Sequence, residues 1–293
     1  MSTVAVRTFT APDGTRLAYR EAGAGTPVVC LPGGPMQDPR YLADLGGLTQ
    51  RARLLLLELR GTGSSSTPTD STSYRCERMV DDVEALRTDL QVERISVLGH
   101  SAGAQLAVRY ALRYPERVHR LVLITPGLAS LGIEVSNSDR RRVTDLRRGE
   151  SWFAAASTAL DDLAAGRITA DTETAIAPFF YGTWNATTRV HQAAAESQTN
   201  HVAAEVFADA ARSEAGNLRA ALPHLGMPTL VLAGELDVNT PPNCAATLAG
   251  LIPAAEILIQ PGAAHYPWLD NPGEFTDHVD RFLRQPTIQP TQP

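Results

Sequence analysis

Three residues that can combine into one piece of chemistry stand far apart in the chain: Ser101, Asp237 and His265. A serine hydroxyl attacks poorly until a neighbouring imidazole takes its proton. The imidazole in turn needs a carboxylate to fix its tautomer and stabilise its charge. Ser101 sits in Gly99-His100-Ser101-Ala102-Gly103, after the apolar run Ile95-Ser96-Val97-Leu98 and before a run of Ala, Leu and Val at helical spacing. That pattern reads as strand, tight turn, helix. Gly99 and Gly103 lack the Cβ atoms that would clash where strand and helix pack closely, so the turn can push the hydroxyl outward. The helix start supplies backbone N–H groups and a positive dipole end, a place to hold an oxyanion. The pentapeptide alone also fits a solvated serine in a Gly-rich turn. The order Ser, Asp, His along the chain selects the nucleophile reading.

The partners come from loops that end strands. Residues 28–31 read as a buried strand opening into Pro32-Gly33-Gly34-Pro35-Met36. In a hydrolase of this order one oxyanion donor comes from the loop after that strand and the other from the residue after the nucleophile. The N–H groups of Gly34 and Ala102 are therefore nominated, the alternative for the loop being an ordinary Pro/Gly surface turn. Asp237 closes Gly234-Glu235-Leu236-Asp237 at the tip of a strand over 227–233, with Glu235 as the fallback acid. His265 lies in the small-residue loop Pro261-Gly262-Ala263-Ala264-His265 beyond a last strand over 256–259. None of the other six histidines combines this order with such a loop.

The chain has 293 residues, 43% hydrophobic and 20% charged, enough to bury a large core, and its formal net charge is -6. No basic footprint for nucleic acid is present, and no run approaches the roughly 18 apolar residues of a membrane span. A cytoplasmic protein acting on a small molecule is expected, with neither nucleic acid nor membrane as partner. Cys30, Cys76 and Cys244 are irregularly spaced, which suggests packing rather than disulfides or a metal site. No metal and no cofactor is called for. Every one of the 26 Lys+Arg residues is arginine, so Schiff-base and Ser-Lys chemistry are excluded.

Strands at 4–9 and 16–21 form a hairpin about Pro12-Asp13-Gly14, and 54–59 reads as a central parallel strand. An amphipathic helix over 73–91, the Ser101 unit and a strand over 118–124 continue a βαβ alternation that implies a parallel sheet. After Pro126 the alternation stops. Helices at 151–163 and 190–211, with no convincing strand, suggest an inserted cap. The cluster Arg140-Arg141-Arg142 and Arg147-Arg148 reads as a solvated helix face, the alternative being an anion site. The aromatic patch from Pro178 to Trp184 is either cap core or pocket wall. Candidate substrate contacts are Gly33, His100, Phe180, Tyr181, Trp184 and Asn185. The expected division is a core over 1–129 and 224–285, a cap over 130–223 and a flexible tail over 286–293.

Gly33-Gly34-Pro35, Arg60-Gly61-Thr62-Gly63-Ser64, the Ser101 elbow, Gly234-Glu235-Leu236-Asp237 and the His265 loop together resemble the α/β-hydrolase fold over essentially the whole chain. Within it the chain is similar to the proline iminopeptidase-like group of capped serine hydrolases. The resemblance implies a mostly parallel sheet with helices on both faces, an inserted helical cap and hydrolysis at Ser101. The group usually has His-Gly-Gly-Pro-Gly where Pro32 to Met36 stand, and Trp where Ala102 stands. Its cap glutamates, which read a substrate amine, align with segments carrying Asn185 and Thr199. Neutral esters or amides are therefore expected over free N-terminal amines. The alternatives are an aminopeptidase of that group, an acyltransferase, lyase or cyclase behind a dry lid, and a ligand-binding module with a silent triad.

Overall fold

A computed structural model describes residues 4–167 and 169–286. Eight strands form one sheet in the order β1-β2-β4-β3-β5-β6-β7-β8. They are β1 (Ala5–Thr10), β2 (Arg16–Ala22), β3 (Pro27–Leu31), β4 (Arg53–Glu58), β5 (Ile95–His100), β6 (Val118–Ile124), β7 (Thr229–Gly234) and β8 (Ala255–Gln260). From β4 to β8 all pairings are parallel, whereas β2 lies antiparallel to both β1 and β4. The run expected at 54–59 is thus parallel on one side only, because the N-terminal hairpin folds back against its outer edge.

Alternate residues of the central strands feed two separate cores, as the two-residue period of a strand requires. Val29, Leu55, Val97, Leu121 and Val231 face one layer, with Met79, Val83 and Leu86 of α1 (Cys76–Asp89), Val108 of α2 (Gly103–Arg113) and Leu248 of α8 (Pro242–Gly250). Val28, Leu54, Leu98, Val122 and Leu230 face the other, with Trp268 of the short α9 (Pro267–Asp270) and Phe275, Val279 and Phe282 of α10 (Pro272–Arg284). Strands covered on both faces read as continuous aliphatic runs, which explains their legibility. Their carboxyl ends all point the same way, so β3, β5, β7 and β8 empty their loops onto one edge.

Between β6 and β7 the chain forms α3 (Asn137–Thr144), α4 (Phe153–Ala164), α5 (Ala170–Ile176), α6 (Ala186–Gln198) and α7 (His201–Ala221). The single helix expected over 190–211 is two helices. Asn200 breaks it: its side chain caps α7 through Ala203 N–H at 3.1 Å and donates from Nδ2 to the Gly61 carbonyl at 2.9 Å. A bridge between Gln37 and Thr199 fixes the same break against the loop after β3. The helix expected over 73–91 begins only at Cys76, after a short turn at Ser71–Tyr74 started by Asp70. The arginine cluster is not one solvated face: Arg147 is buried, donates from Nη1 to the Tyr181 carbonyl at 2.9 Å and lies over the Trp152 ring. All but the first residue of the expected tail lies outside the described residues.

Candidate active site

The elbow between β5 and α2 is built from close backbone contact. A Cβ on Gly103 would fall 2.3 Å from the Leu31 carbonyl oxygen, and one on Gly99 would fall 2.7 Å from the Ala104 Cα, so both positions need glycine. Ser101 has φ +51°, a left-handed conformation that an L residue holds only under outside constraint. The constraint is visible. Its N–H donates to the Ile124 carbonyl at 3.0 Å, and its carbonyl accepts from Gly127 N–H at 2.9 Å and Ala104 N–H at 3.1 Å. β6 and the loop beyond it thereby clamp the elbow from the side.

Ser101, Asp237 and His265 meet at the carboxyl edge of the sheet. His265 Nδ1 lies 2.8 Å from Asp237 Oδ2, and its Nε2 lies 3.0 Å from Ser101 Oγ. Because a carboxylate only accepts, Nδ1 carries the proton and Nε2 is free to accept from the serine. Asp237 is fully buried, and its other oxygen accepts from Asn239 N–H at 2.8 Å. Glu235 is engaged elsewhere: it is exposed and accepts from Gly262 N–H. His265 N–H donates to the Phe180 carbonyl at 3.0 Å, which ties the histidine loop to the cap.

Behind the serine runs a second, buried chain. Gly33 N–H donates to Tyr41 Oη at 2.7 Å, and Tyr41 Oη lies 2.7 Å from His100 Nδ1. His100 Nε2 lies 3.0 Å from the His265 carbonyl, which also accepts from Thr125 Oγ1 at 2.9 Å. A carbonyl only accepts, so Nε2 carries the proton, Nδ1 accepts, and the tyrosine donates to it. Burial, first, and the neighbouring His265 hold His100 well below the usual imidazole range, consistent with this neutral form. One continuous series of hydrogen bonds thus joins the loop after β3 to the loop after β8, passing beneath Ser101.

A cavity of about 650 Å³ opens at Ser101 and His265. Gly34 and Ala102 line it beside the hydroxyl, and the N–H of neither donates to another group among the described residues. Both are free for a ligand oxygen. The walls come from the segment 127–135 after β6, from Arg140 of α3 and from Phe207, Ala208, Ala211 and Arg212 of α7. No group of three or more His, Cys, Asp or Glu among the described residues could hold a metal ion. No helix among them is long and apolar enough to cross a membrane.

The substrate contacts expected from the sequence fall elsewhere. Gly33 and His100 lie behind the serine: a Cβ on Gly33 would come 2.8 Å from Ser101 Cβ, and both His100 nitrogens are occupied. Tyr181 is buried, stacked on Tyr266 at 4.9 Å, with its hydroxyl 2.8 Å from His191 Nδ1. Trp184 packs on Tyr181, and Asn185 is exposed and caps α6. Phe180 approaches the His265 ring at 6.0 Å but does not line the cavity. The patch props the histidine loop instead, helped by Asp270, whose carboxylate accepts from Ala264 N–H and Gly182 N–H, each at 2.8 Å. Sequence reasoning missed Tyr41, Thr125, Asn239, Asp270 and the walls from 127–135 and α7. Only the place of 127–135, directly after a central strand, offered a signal.

Residues 26–272 match the family model described as alpha/beta hydrolase fold. A proline iminopeptidase of Heyndrickxia coagulans is 24% identical over 90% of this chain and 93% of its own. Among solved structures, an esterase from Thermogutta terrifontis aligns with TM-score 0.65 and 26% identity, covering 96% of this chain and 98% of that one. A proline iminopeptidase from Mycobacterium smegmatis aligns with TM-score 0.71 and 23% identity over the same shares of the two chains.

Tyr41→Phe would leave the buried Gly33 N–H without its acceptor and His100 Nδ1 without its donor. Denaturant unfolding is expected to show a loss of about 1–3 kcal/mol, the usual cost of orphaning buried polar groups. A loss within about 0.5 kcal/mol, as for an ordinary surface change, would mean that the chain beneath the serine does not hold the two loops.

Proposed function

The chain belongs to the α/β-hydrolase fold family, and we propose that it is a serine hydrolase cleaving an ester or amide of a small molecule through an acyl-enzyme at Ser101. The observation that carries the reading is the unbroken series Asp237, His265, Ser101 at hydrogen-bond distance, opening onto the cavity. His265 Nε2 takes the serine proton as Oγ attacks the carbonyl carbon. The free N–H groups of Gly34 and Ala102 meet the oxyanion, and the buried Asp237 stabilises the imidazolium. The leaving group takes the proton from His265. Water then attacks the acyl carbon as the same nitrogen takes its proton, the acyl–Oγ bond breaks, Oγ recovers the proton from His265, and the acid leaves. Exposed Glu134 and Arg212 mark a mouth open to solvent, which favours hydrolysis over transfer chemistry that must exclude water.

An aminopeptidase needs a carboxylate to meet the substrate ammonium, because an uncompensated ammonium in a cavity loses several kcal/mol of hydration. Asn185 and Thr199 bring no charge, and the Thr199 hydroxyl donates to the Ala195 carbonyl. Glu196 is exposed beside His201, Glu205 is exposed, and Glu214 is paired with Arg75 and Arg109. The one carboxylate among the cavity-lining residues, Glu134, is at the exposed rim. Acyl substrates without an ammonium fit better.

Ser101→Ala is expected to abolish ester turnover and labelling by a serine-directed phosphonate, with unfolding free energy changed by no more than about 1 kcal/mol. Turnover at the wild-type rate would remove Ser101 from the role. Asp237→Asn should lower kcat by something on the order of 10⁴ through the wrong imidazole tautomer. Glu235→Gln should be mild, and the reverse ranking would move the acid to Glu235. For a prolyl amide, kcat/KM should be higher when the amine is acetylated than when it is free; a strong preference for the free amine would point to an aminopeptidase.

A further inference from the structure

The arginines of α3 and of the turn after it differ in one respect that the proposed hydrolysis leaves unused. Arg141 lies 3.5 Å from Asp161, Arg142 3.6 Å from Asp139, Arg147 3.5 Å from Glu150 and Arg148 2.8 Å from Asp145. Across the cavity Arg212 is paired with Asp209. Arg140 has no carboxylate within 4.0 Å among the described residues, and it is the member of the cluster that lines the cavity containing Ser101 and His265. Its side chain is half-buried and held in place: Nη1 donates to the Val135 carbonyl, itself part of the cavity wall, at 2.8 Å. The nearest acidic neighbour in sequence, Asp139, is committed to Ser136, Asn243 and Arg142. Glu134 shares the wall but is exposed and makes no ion pair with it.

We propose that Arg140 is an anion subsite, so that the preferred substrate carries a carboxylate separated from the scissile carbonyl by a short linker. The inference rests on the hydrolase reading above and names its substrate class. An arginine anchored by one backbone carbonyl keeps further N–H donors in a fixed plane, the geometry that receives a carboxylate in a bidentate manner. Arg140 and Ser101 line one cavity of small-molecule size, so a carboxylate on its wall and a carbonyl at Ser101 belong to one small molecule. The apolar residues Leu128, Ile133 and Phe207 line the same cavity, which suits a methylene or aryl linker. The carboxylate resides either in the acyl part or in the leaving group. Both use the same chemistry, and the test separates them.

The comparison is kcat/KM for the mono-p-nitrophenyl ester of adipic acid against p-nitrophenyl hexanoate, and for 4-acetoxybenzoate against phenyl acetate. In at least one pair the charged member should be preferred about tenfold or more, with the gain in KM, as a charge-assisted pair in a partly enclosed site provides. Arg140→Gln should bring that ratio close to one, and Arg140→Lys should restore part of it. Arg141→Gln, next along the helix and already paired outside the cavity, should leave the ratio as in the wild type. The first pair reports a carboxylate in the acyl part, the second one in the leaving group. Absence of a charge preference in both pairs overturns the proposal, as does a preference that survives Arg140→Gln. Failure of the hydrolase reading is separate: it would show as hexanoate turnover that persists in Ser101→Ala.

Discussion

The site depends on one buried charge and what is needed to keep it there. The Asp237 carboxylate has no access to solvent, and an unpaired buried carboxylate costs far more than any single packing contact returns. It is compensated by His265 Nδ1–H and by the N–H of Asn239. To bring the imidazole there, the loop after β8 must cross the end of β7, and the two strands must be neighbours in parallel register. A Cβ on Gly234 would strike the Ala264 and Ala263 carbonyls at 2.3 and 2.5 Å, so the loop passes where glycine leaves room. The carboxylate at the end of one strand thus dictates a glycine at its tip and small residues in the loop above.

The same requirement spreads through the histidine backbone. The His265 carbonyl accepts from His100 and Thr125, and its N–H donates to Phe180. Each of these partners lies on a different element: β5, the end of β6 and the cap. The imidazole therefore has little freedom to tilt, although it sits on a loop. Rigid supports beneath mobile-looking elements are what a proton acceptor needs, since a misplacement of about 1 Å can cost a hundredfold in rate. The buried Tyr41 and His100 extend this support to the glycine loop that carries the Gly34 amide. Serine, imidazole and amide are held in one frame.

The legible part of the molecule was the part ruled by local pattern. Aliphatic runs such as 118–124 announced strands because both faces are covered, and Gly-x-Ser-x-Gly announced its elbow because no larger residue fits at Gly99 or Gly103. The order Ser, Asp, His named the three side chains that the fold brings together. What could not be read was decided by contacts between segments distant in sequence. Asn200 breaks a helix whose apolar period runs straight through it, and it does so by bonding to Gly61, 139 residues earlier. The density of the aromatic patch leaves cap core and pocket wall both open, and long-range contacts decide it: Tyr181 turns its ring to Tyr266 and its hydroxyl to His191. His100, adjacent to the serine in sequence, ends β5 and packs against Tyr41 and Trp268, while the left-handed turn at Ser101 carries the hydroxyl to the cavity. Both of its ring nitrogens are taken up by Tyr41 and the His265 carbonyl, so it supports the site from behind the serine.

The cap carries a different kind of constraint, because its surface does not have to satisfy a sheet. Four of its five helices run 7 to 13 residues, and capping boxes at Ser136, Thr169 and Asn185 fix where three of them begin. Short capped helices can be reoriented by few substitutions, whereas the edge that holds Asp237 and His265 cannot move without exposing or orphaning a buried charge. On the proposed reading, chemistry and selectivity are divided between the two parts. In a chain without lysine, the basic side chains of the cap other than histidine are planar guanidiniums. Most of these are neutralised by a carboxylate one turn or one helix away, so a side chain left without such a partner on a cavity wall keeps its charge available to whatever enters.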